Sequence, residues 1–247
     1  MPISKVVGII PARWGSTRFP GKALHGIAGK PLIQHVWERC LEADCFDQIV
    51  IATDDMRIAE VGFNFGAEIA LTAADHPSGT DRVAEVARKL KKATIIVNVQ
   101  GDEPLVDPSL LQRLTRKLTD NRNLPIVTAA TPISLEDSLS EHNVKVVMDR
   151  LGNALYFSRS CIPFRRGGNG VKTYKHLGIY GFRRKALLDF VRMSPGALEQ
   201  AEQLEQLRAL ENGVKIRVVV SEINSIGVDT PDDATEVERL ILSRRSG

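Results

Sequence analysis

The sequence predicts an α/β protein: a mostly parallel central sheet flanked by helices, with an added antiparallel subdomain, within one domain spanning residues 1–247. Three observations carry this. Up to about residue 120, short apolar runs alternate with amphipathic helical patterns. Two of those runs, VVGII (Val6–Ile10), which has no polar face, and TIIVNVQ (Thr94–Gln100), read as strands buried on both sides. After Pro125 strands follow one another with little helix between them, which places the antiparallel part at about residues 140–190.

In chain order, Val6–Ile10 is the first strand and stops at Pro11. Pro31 opens a helix whose Leu32, Ile33, Val36, Trp37, Cys40 and Leu41 fit one face. Gln48–Thr53 is the next strand, and Asp54 with Asp55 caps the helix after it. Ala67–Thr72 is a third strand. Ser78-Gly79-Thr80 then leads into a helix with Val83, Val86, Ala87 and Leu90 inward. Thr94–Gln100 is central and ends in the turn Gly101-Asp102-Glu103-Pro104, and Asp107-Pro108 starts another helix. Parallel connections of this kind are right-handed.

Beyond Pro125, Ile126–Ala130, Val144–Met148 and Ala154–Ser158 read as strands, the last two joined by a hairpin loop at Asp149–Asn153. Arg165–Gly170 (RRGGNG) reads as a mobile loop. His176–Phe182 is a strand, followed by helices near Arg184–Met193 and Leu198–Asn212. Val214–Val220 is the last strand, and Thr230-Pro231 caps a terminal helix.

Bulk properties exclude several classes. Lys and Arg number 33 against 30 Asp and Glu, and a net charge of +3 is too mild for a nucleic-acid or membrane surface. No apolar run approaches the ~20 residues of a membrane span, and the N-terminus lacks a secretory pattern, so a cytoplasmic protein is expected. Cys40, Cys45 and Cys161 are odd in number and show no CxxC spacing, which reads as free thiols in a reducing compartment.

Chemistry concentrates first in PARWGSTRFPGK (Pro11–Lys22), a cationic, donor-rich loop at the carboxyl end of a buried strand, where open α/β sheets bind anions. Five residues separate Gly15 from Gly21 and Ala23 follows Lys22, so it is not a Walker A loop. GxGxxG is absent after the first strand, which removes the main argument for a dinucleotide-binding oxidoreductase. Triphosphate suits it: Arg13 and Arg18 fork onto phosphate oxygens, backbone N–H groups near Gly15, Ser16 and Thr17 form a nest, and Lys22 adds a point charge. Asp102, in a turn after a central strand, suits a hard divalent cation.

PARWGSTRFPGK resembles the signature of sugar-activating nucleotidyltransferases with a glycosyltransferase-A-like fold. Taken with ADHPSGTDR (Ala74–Arg82), NVQGDEP (Asn98–Pro104), HLGIYGF (His176–Phe182), LEQLR (Leu204–Arg208) and GVDTPDD (Gly227–Asp233), the chain resembles the 3-deoxy-manno-octulosonate (Kdo) cytidylyltransferase family over nearly its full length.

That resemblance implies a set of roles. Mg²⁺ would be held by Asp102 and Asp229; the other reading of Asp229 is a helix cap, since Thr230-Pro231 follows. Ala12, Arg13, Ser78, Gly79 and Gln100 would line the cytidine site, although Ser78-Gly79-Thr80 also reads as a helix cap. His76 reads as a surface histidine or a pocket residue. Arg159, His176, Tyr180, Glu205 and Gln206 would contact the sugar acid, an arginine suiting its carboxylate and the others its hydroxyls. Without the motif, Tyr180 would be a core tyrosine. Glu199 and Glu202 read as a solvated helix stripe. The short, glycine-rich segment 165–172 and Ser194–Ala197, which resembles a small insertion, depart from the family pattern and leave sugar detail open.

The implied reaction is in-line attack of the anomeric 2-hydroxyl of Kdo on the α-phosphorus of CTP, with no covalent enzyme intermediate. Lys22, Arg13, Asp102 and Asp229 are its catalytic candidates. The family also implies a homodimer whose product serves lipopolysaccharide synthesis. The rivals are a cytidylyltransferase for 8-amino-Kdo or sialic acid, and a non-catalytic nucleotide-sensing module.

Overall fold

The computed structural model describes residues 5–15, 19–167, 170–223 and 225–245, with the side chain of Arg245 excepted. The chain divides into two compact units, residues 1–112 with 225–247 and residues 113–224. The α/β class and the mostly parallel sheet with an antiparallel part are as expected.

The first unit contains β1 (Val6–Ala12), a short 3₁₀ turn at Lys22–Leu24, a small hairpin of β2 (Gly26–Ile27) and β3 (Lys30–Pro31), then α1 (Leu32–Glu42). It continues through β4 (Gln48–Thr53), α2 (Met56–Asn64), β5 (Glu68–Leu71), α3 (Gly79–Lys89) and β6 (Ile95–Asn98) into α4 (Pro108–Asp120), within which the division between the units falls. Its four large strands are parallel, in the order β6-β1-β4-β5. From β1 the chain steps outward to β4 and β5, then returns to pair β6 on the other side of β1. The carboxyl ends of β1 and β6 therefore form a topological switch point, where sheets of this class bind ligands.

Every residue of β1 is buried, as its unbroken apolar run requires. The strand does not stop at Pro11; it runs on to Ala12. Pairing with β6 has ended at Ile9, so only β4 remains alongside at Pro11, and a strand with one neighbour tolerates a missing N–H. Helix α1 buries Leu32, Ile33, Val36 and Cys40, whereas Leu41, expected on that face, is 49% exposed. Asp55 caps α2 by accepting from the Arg57 N–H, and Ser78 caps α3 by accepting from the Asp81 N–H.

The terminal helix (Pro231–Arg245) belongs to this unit. Its Ala234 and Val237, with Val228 just before it, are buried against Ile27, Leu32 and Leu105. Burial of a valine is worth about 1.5–3 kcal/mol, so this small core suffices to tie the chain's last segment to its first.

In the second unit β7 (Ile126–Ile133) is followed by α5 (Leu135–Ser138), then the hairpin of β8 (Lys145–Met148) and β9 (Ala154–Ser158). Next come β10 (Thr173–Arg183), α6 (Arg184–Phe190), α7 (Ala197–Glu202), α8 (Leu207–Glu211) and β11 (Ile216–Val220). The strand order is β11-β7-β10-β8-β9; β11 and β7 are parallel and the other pairs antiparallel. The hairpin loop closes where the Asp149 carboxylate accepts from the N–H groups of Leu151 and Asn153, each at 2.8 Å.

One expected helix is divided. Leu198–Asn212 is split into α7 and α8, with Gln203 in the left-handed region at φ 53°. The break separates α7, which buries none of its residues, from a segment whose Leu204, Leu207 and Ala209 are buried. Among the described residues no helix is long and apolar enough to cross a membrane, and Cys40, Cys45 and Cys161 are free thiols.

Candidate active site

At the switch point of the first unit a cleft opens, floored by the ends of β1 and β6. Pro11, Ala12 and Arg13 leave β1 there, while Gln100, Gly101 and Asp102 leave β6. Glycine is demanded at Gly101, because a Cβ would stand 2.6 Å from the Pro11 carbonyl oxygen. That close backbone approach fixes where Asp102 emerges. Behind it, the Gln100 amide donates to the Asn98 side chain at 3.4 Å, and buried Asn98 lies 3.5 Å from the Thr80 hydroxyl.

Asp229 arrives from the far end of the sequence. The Val228 N–H donates to the Asp102 carbonyl at 2.8 Å, so the two acidic residues are joined through backbone. The helix cap that follows is made by Thr230 and Asp233: the Asp233 carboxylate accepts from the N–H groups of Asp229 and Thr230, and the Thr230 hydroxyl accepts from the Asp233 N–H. Asp229 is thus spared from capping, and its own carboxylate accepts from Lys22.

Lys22 completes the group. Its Nζ donates to Asp102 Oδ2 at 2.6 Å, to Asp229 Oδ1 at 3.0 Å and to the Val228 carbonyl at 3.0 Å. Burial alone would pull this ammonium down, but the Asp102 and Asp229 carboxylates outweigh it and raise it above the ordinary lysine value. The backbone beneath Lys22 is held by Gly21, which adopts φ +70° and donates its N–H to the Trp14 carbonyl at 3.1 Å. A Cβ at Gly21 would meet the Trp14 ring at 2.9 Å, and the Arg57 guanidinium lies over that ring at 3.4 Å.

Of the residues singled out from sequence, Ala12, Arg13, Lys22, Ser78, Gly79, Gln100, Asp102 and Asp229 all line this cleft. Ser16, Thr17 and Arg18 lie outside the described residues. His76 lines the cleft and is half-buried, its Nε2 2.7 Å from Glu85, whose carboxyl is held down to about 2 by bonds from Ala73, His76 and Lys89 despite some burial. Two contributors escaped notice. Buried Arg82 reaches the cleft and pairs with Asp54 at 3.1 Å, so Asp54 is an ion-pair partner and Asp55 alone is the cap. The Arg57–Trp14 contact left no periodic or motif signal; a lone tryptophan in a cationic loop was its one hint.

Arg159, His176, Tyr180, Glu205 and Gln206 all lie in the second unit. Tyr180, Glu205 and Gln206 line one small cavity with Ile126, Phe182 and Phe190. His176 stands 5.4 Å from Tyr180, ring to ring, and accepts or donates at 2.9 Å with the Thr128 hydroxyl. Burial pushes the imidazole down to about 3, and it pushes the Tyr180 phenol well up, with the Glu205 charge adding to it. Arg159 is turned elsewhere: its Nε donates to the Glu202 carbonyl at 2.9 Å and another guanidinium nitrogen to the Glu141 carbonyl at 3.1 Å.

Glu199 and Glu202 are not a solvated stripe. Glu199 takes the Arg208 fork, at 2.8 Å from Nε and 2.5 Å from a terminal nitrogen, and its side chain is 12% exposed. Glu202 accepts from the Ser158 hydroxyl at 2.6 Å and the Arg159 N–H at 2.9 Å. Glu199 thus pairs with α8 and Glu202 with the distant end of β9, partners that spacing along one helix does not reveal.

Two hard carboxylates that converge on one cationic nitrogen are of the kind that could hold a divalent oxygen-seeking ion; here Lys22 bonds both. Among the described residues no group of three or more metal-ligating side chains exists, so the remaining ligands would have to come from phosphate and water.

Comparison with known proteins agrees with this geometry. The family described as Cytidylyltransferase matches residues 7–216. A 3-deoxy-manno-octulosonate cytidylyltransferase of Geobacter metallireducens is 51% identical, over 94% of this chain and 96% of its own length. One from Pelobacter propionicus is 52% identical, over 97% and 99%. A solved structure of CMP:2-keto-3-deoxy-manno-octonic acid synthetase complexed with CTP superposes with a TM-score of 0.95 at 41% identity, covering 98% of this chain and all of that one. At this identity and coverage, the chain belongs to the 3-deoxy-manno-octulosonate cytidylyltransferase family.

Proposed function

We propose that the protein transfers CMP from CTP to the anomeric 2-hydroxyl of Kdo and releases diphosphate. The observation that carries this, beside family membership, is the meeting of Lys22, Asp102 and Asp229 at the mouth of a cleft whose walls carry Arg13, Ser78 and Gln100. Gln100 and the backbone near Ala12, Ser78 and Gly79 read the cytosine ring and ribose. Arg13, Arg18 and Lys22 take the triphosphate, with Ser16 and Thr17 as backbone donors, and they offset the negative charge that grows on the leaving diphosphate.

Asp102 and Asp229 would hold Mg²⁺, which supplies Lewis acidity toward the α-phosphate and the attacking hydroxyl when bound. Arg159, His176, Tyr180, Glu205 and Gln206 bind the sugar acid. His176, held neutral by burial, serves as a hydrogen-bonding group and not as a cation. The same reading places the product in lipopolysaccharide assembly and the enzyme in the cytoplasm as a homodimer.

The test is a panel: CTP and Mg²⁺ incubated with Kdo, 8-amino-Kdo and sialic acid, with diphosphate release measured for each. Kdo should be turned over fastest. Preference for another acid reassigns the acceptor, and nucleotide binding with no diphosphate from any acceptor overturns the enzymatic reading.

A further inference from the structure

Lys22 stands where a bridging cation would stand. Its three ammonium protons have three acceptors, the Asp102 and Asp229 carboxylates and the Val228 carbonyl, at 2.6, 3.0 and 3.0 Å. The side chain is 17% exposed, so the group is largely withdrawn from water. A divalent ion that bridged the same two carboxylates would sit about 2.0–2.1 Å from their oxygens, within repulsive range of an ammonium sharing those oxygens. An ammonium bonded to both carboxylates lowers the pair's negative charge and repels a second cation, so the two cations compete for the same site.

The main chain of Lys22 is not free to give way. Its N–H donates to the Phe19 carbonyl at 3.2 Å and its carbonyl accepts from His25 at 3.0 Å. Gly21 before it is wedged beneath the Trp14 ring. What can move is the four-carbon stem, whose rotation carries a compact point charge from one anion to another without disturbing the turn.

We infer that Lys22 is a resident counter-cation that keeps the Asp102–Asp229 pair closed to divalent metal until the triphosphate draws its ammonium away. The inference rests on the reading of Asp102 and Asp229 as the metal pair. Phosphate oxygens arriving in the cleft offer Lys22 new acceptors, and the carboxylates it leaves become available together. Metal and nucleotide then bind with positive coupling, and by linkage each favours the other equally. Substrate binding thereby decides when the protein's own carboxylates acquire a metal, which protects the site from idle loading by divalent ions.

The experiment measures Mn²⁺ binding to the full chain without nucleotide, from the loss of the free-ion paramagnetic resonance signal. The wild type should bind Mn²⁺ weakly, Lys22→Met at least tenfold more tightly, and Lys22→Arg as weakly as the wild type. Lys22→Gln carries the same comparison should Lys22→Met fold poorly. Tight stoichiometric binding to the nucleotide-free wild type overturns the inference, as does unchanged affinity in the neutral variants. Adding Asp102→Asn to Lys22→Met separates the two claims. If the gained site disappears, the carboxylates are its ligands; if it persists, the metal-pair reading itself is wrong.

Discussion

The two units hold their polar residues in contrasting ways. In the first, Arg13, Asp102 and Asp229 emerge from strand ends and turns whose backbones are secured by other groups, and their side chains line one cleft, where Lys22 bonds both carboxylates. In the second, Arg159 and His176 spend bonds on the protein itself, on the Glu202 and Glu141 carbonyls and on the Thr128 hydroxyl. Such a difference separates residues that cost turnover when changed from residues that cost turnover and stability together.

Asp102→Asn and Asp229→Asn test the first kind most severely. Each should keep the parent's circular dichroism and melting behaviour yet lose on the order of 10²–10³ in kcat, the scale of one lost transition-state electrostatic contact. Retained diphosphate release by either variant would remove that residue from the site. Gly101→Ala blurs the distinction on purpose, since its Cβ must push the turn off the Pro11 carbonyl. Urea unfolding should report a loss of about 1–3 kcal/mol, accompanied by a fall in kcat.

Arg159→Ala sharpens the other side. Loss of its bonds to two carbonyls should cost roughly 1–2 kcal/mol of stability and raise KM for Kdo while KM for CTP stays put. An unchanged Kdo KM would leave Arg159 a structural residue. The smallest effect concerns His176. Its folded pKa, held by burial at about 3, lies below the ordinary 6.5, so the unfolded chain binds the extra proton between those values. Its contribution to stability is complete above pH 6.5 and is lost as pH falls toward 3. Unfolding free energies from urea titrations at pH 7 and pH 5.5 should therefore differ by about 1 kcal/mol less in His176→Gln than in the parent.

Much of this was legible in the residues. The alternating pattern yields β4 and β9 at their observed limits and places β1 and β6 in the buried interior, because periodicity is a property of neighbouring side chains. Motif content singles out eight residues that the structure gathers around one cleft. The divided α7–α8 segment was not legible, since helical propensity favours continuity and no Gly or Pro marks Gln203, whose left-handed backbone ends α7. Nor were the partners of Glu199 and Glu202, or the pair of Arg82 with Asp54, each of which joins two different elements.

By itself, the sequence determined the elements, the family and the kinds of chemistry each motif carries, since these depend on local spacing and residue type. The tertiary structure decided that Lys22 lies between Asp102 and Asp229. That meeting is made by the Gly101 backbone approach to Pro11, the Val228 bond to Asp102 and the small core under the terminal helix. Each is a contact between segments far apart in the chain, and no local pattern encodes a distance across the fold.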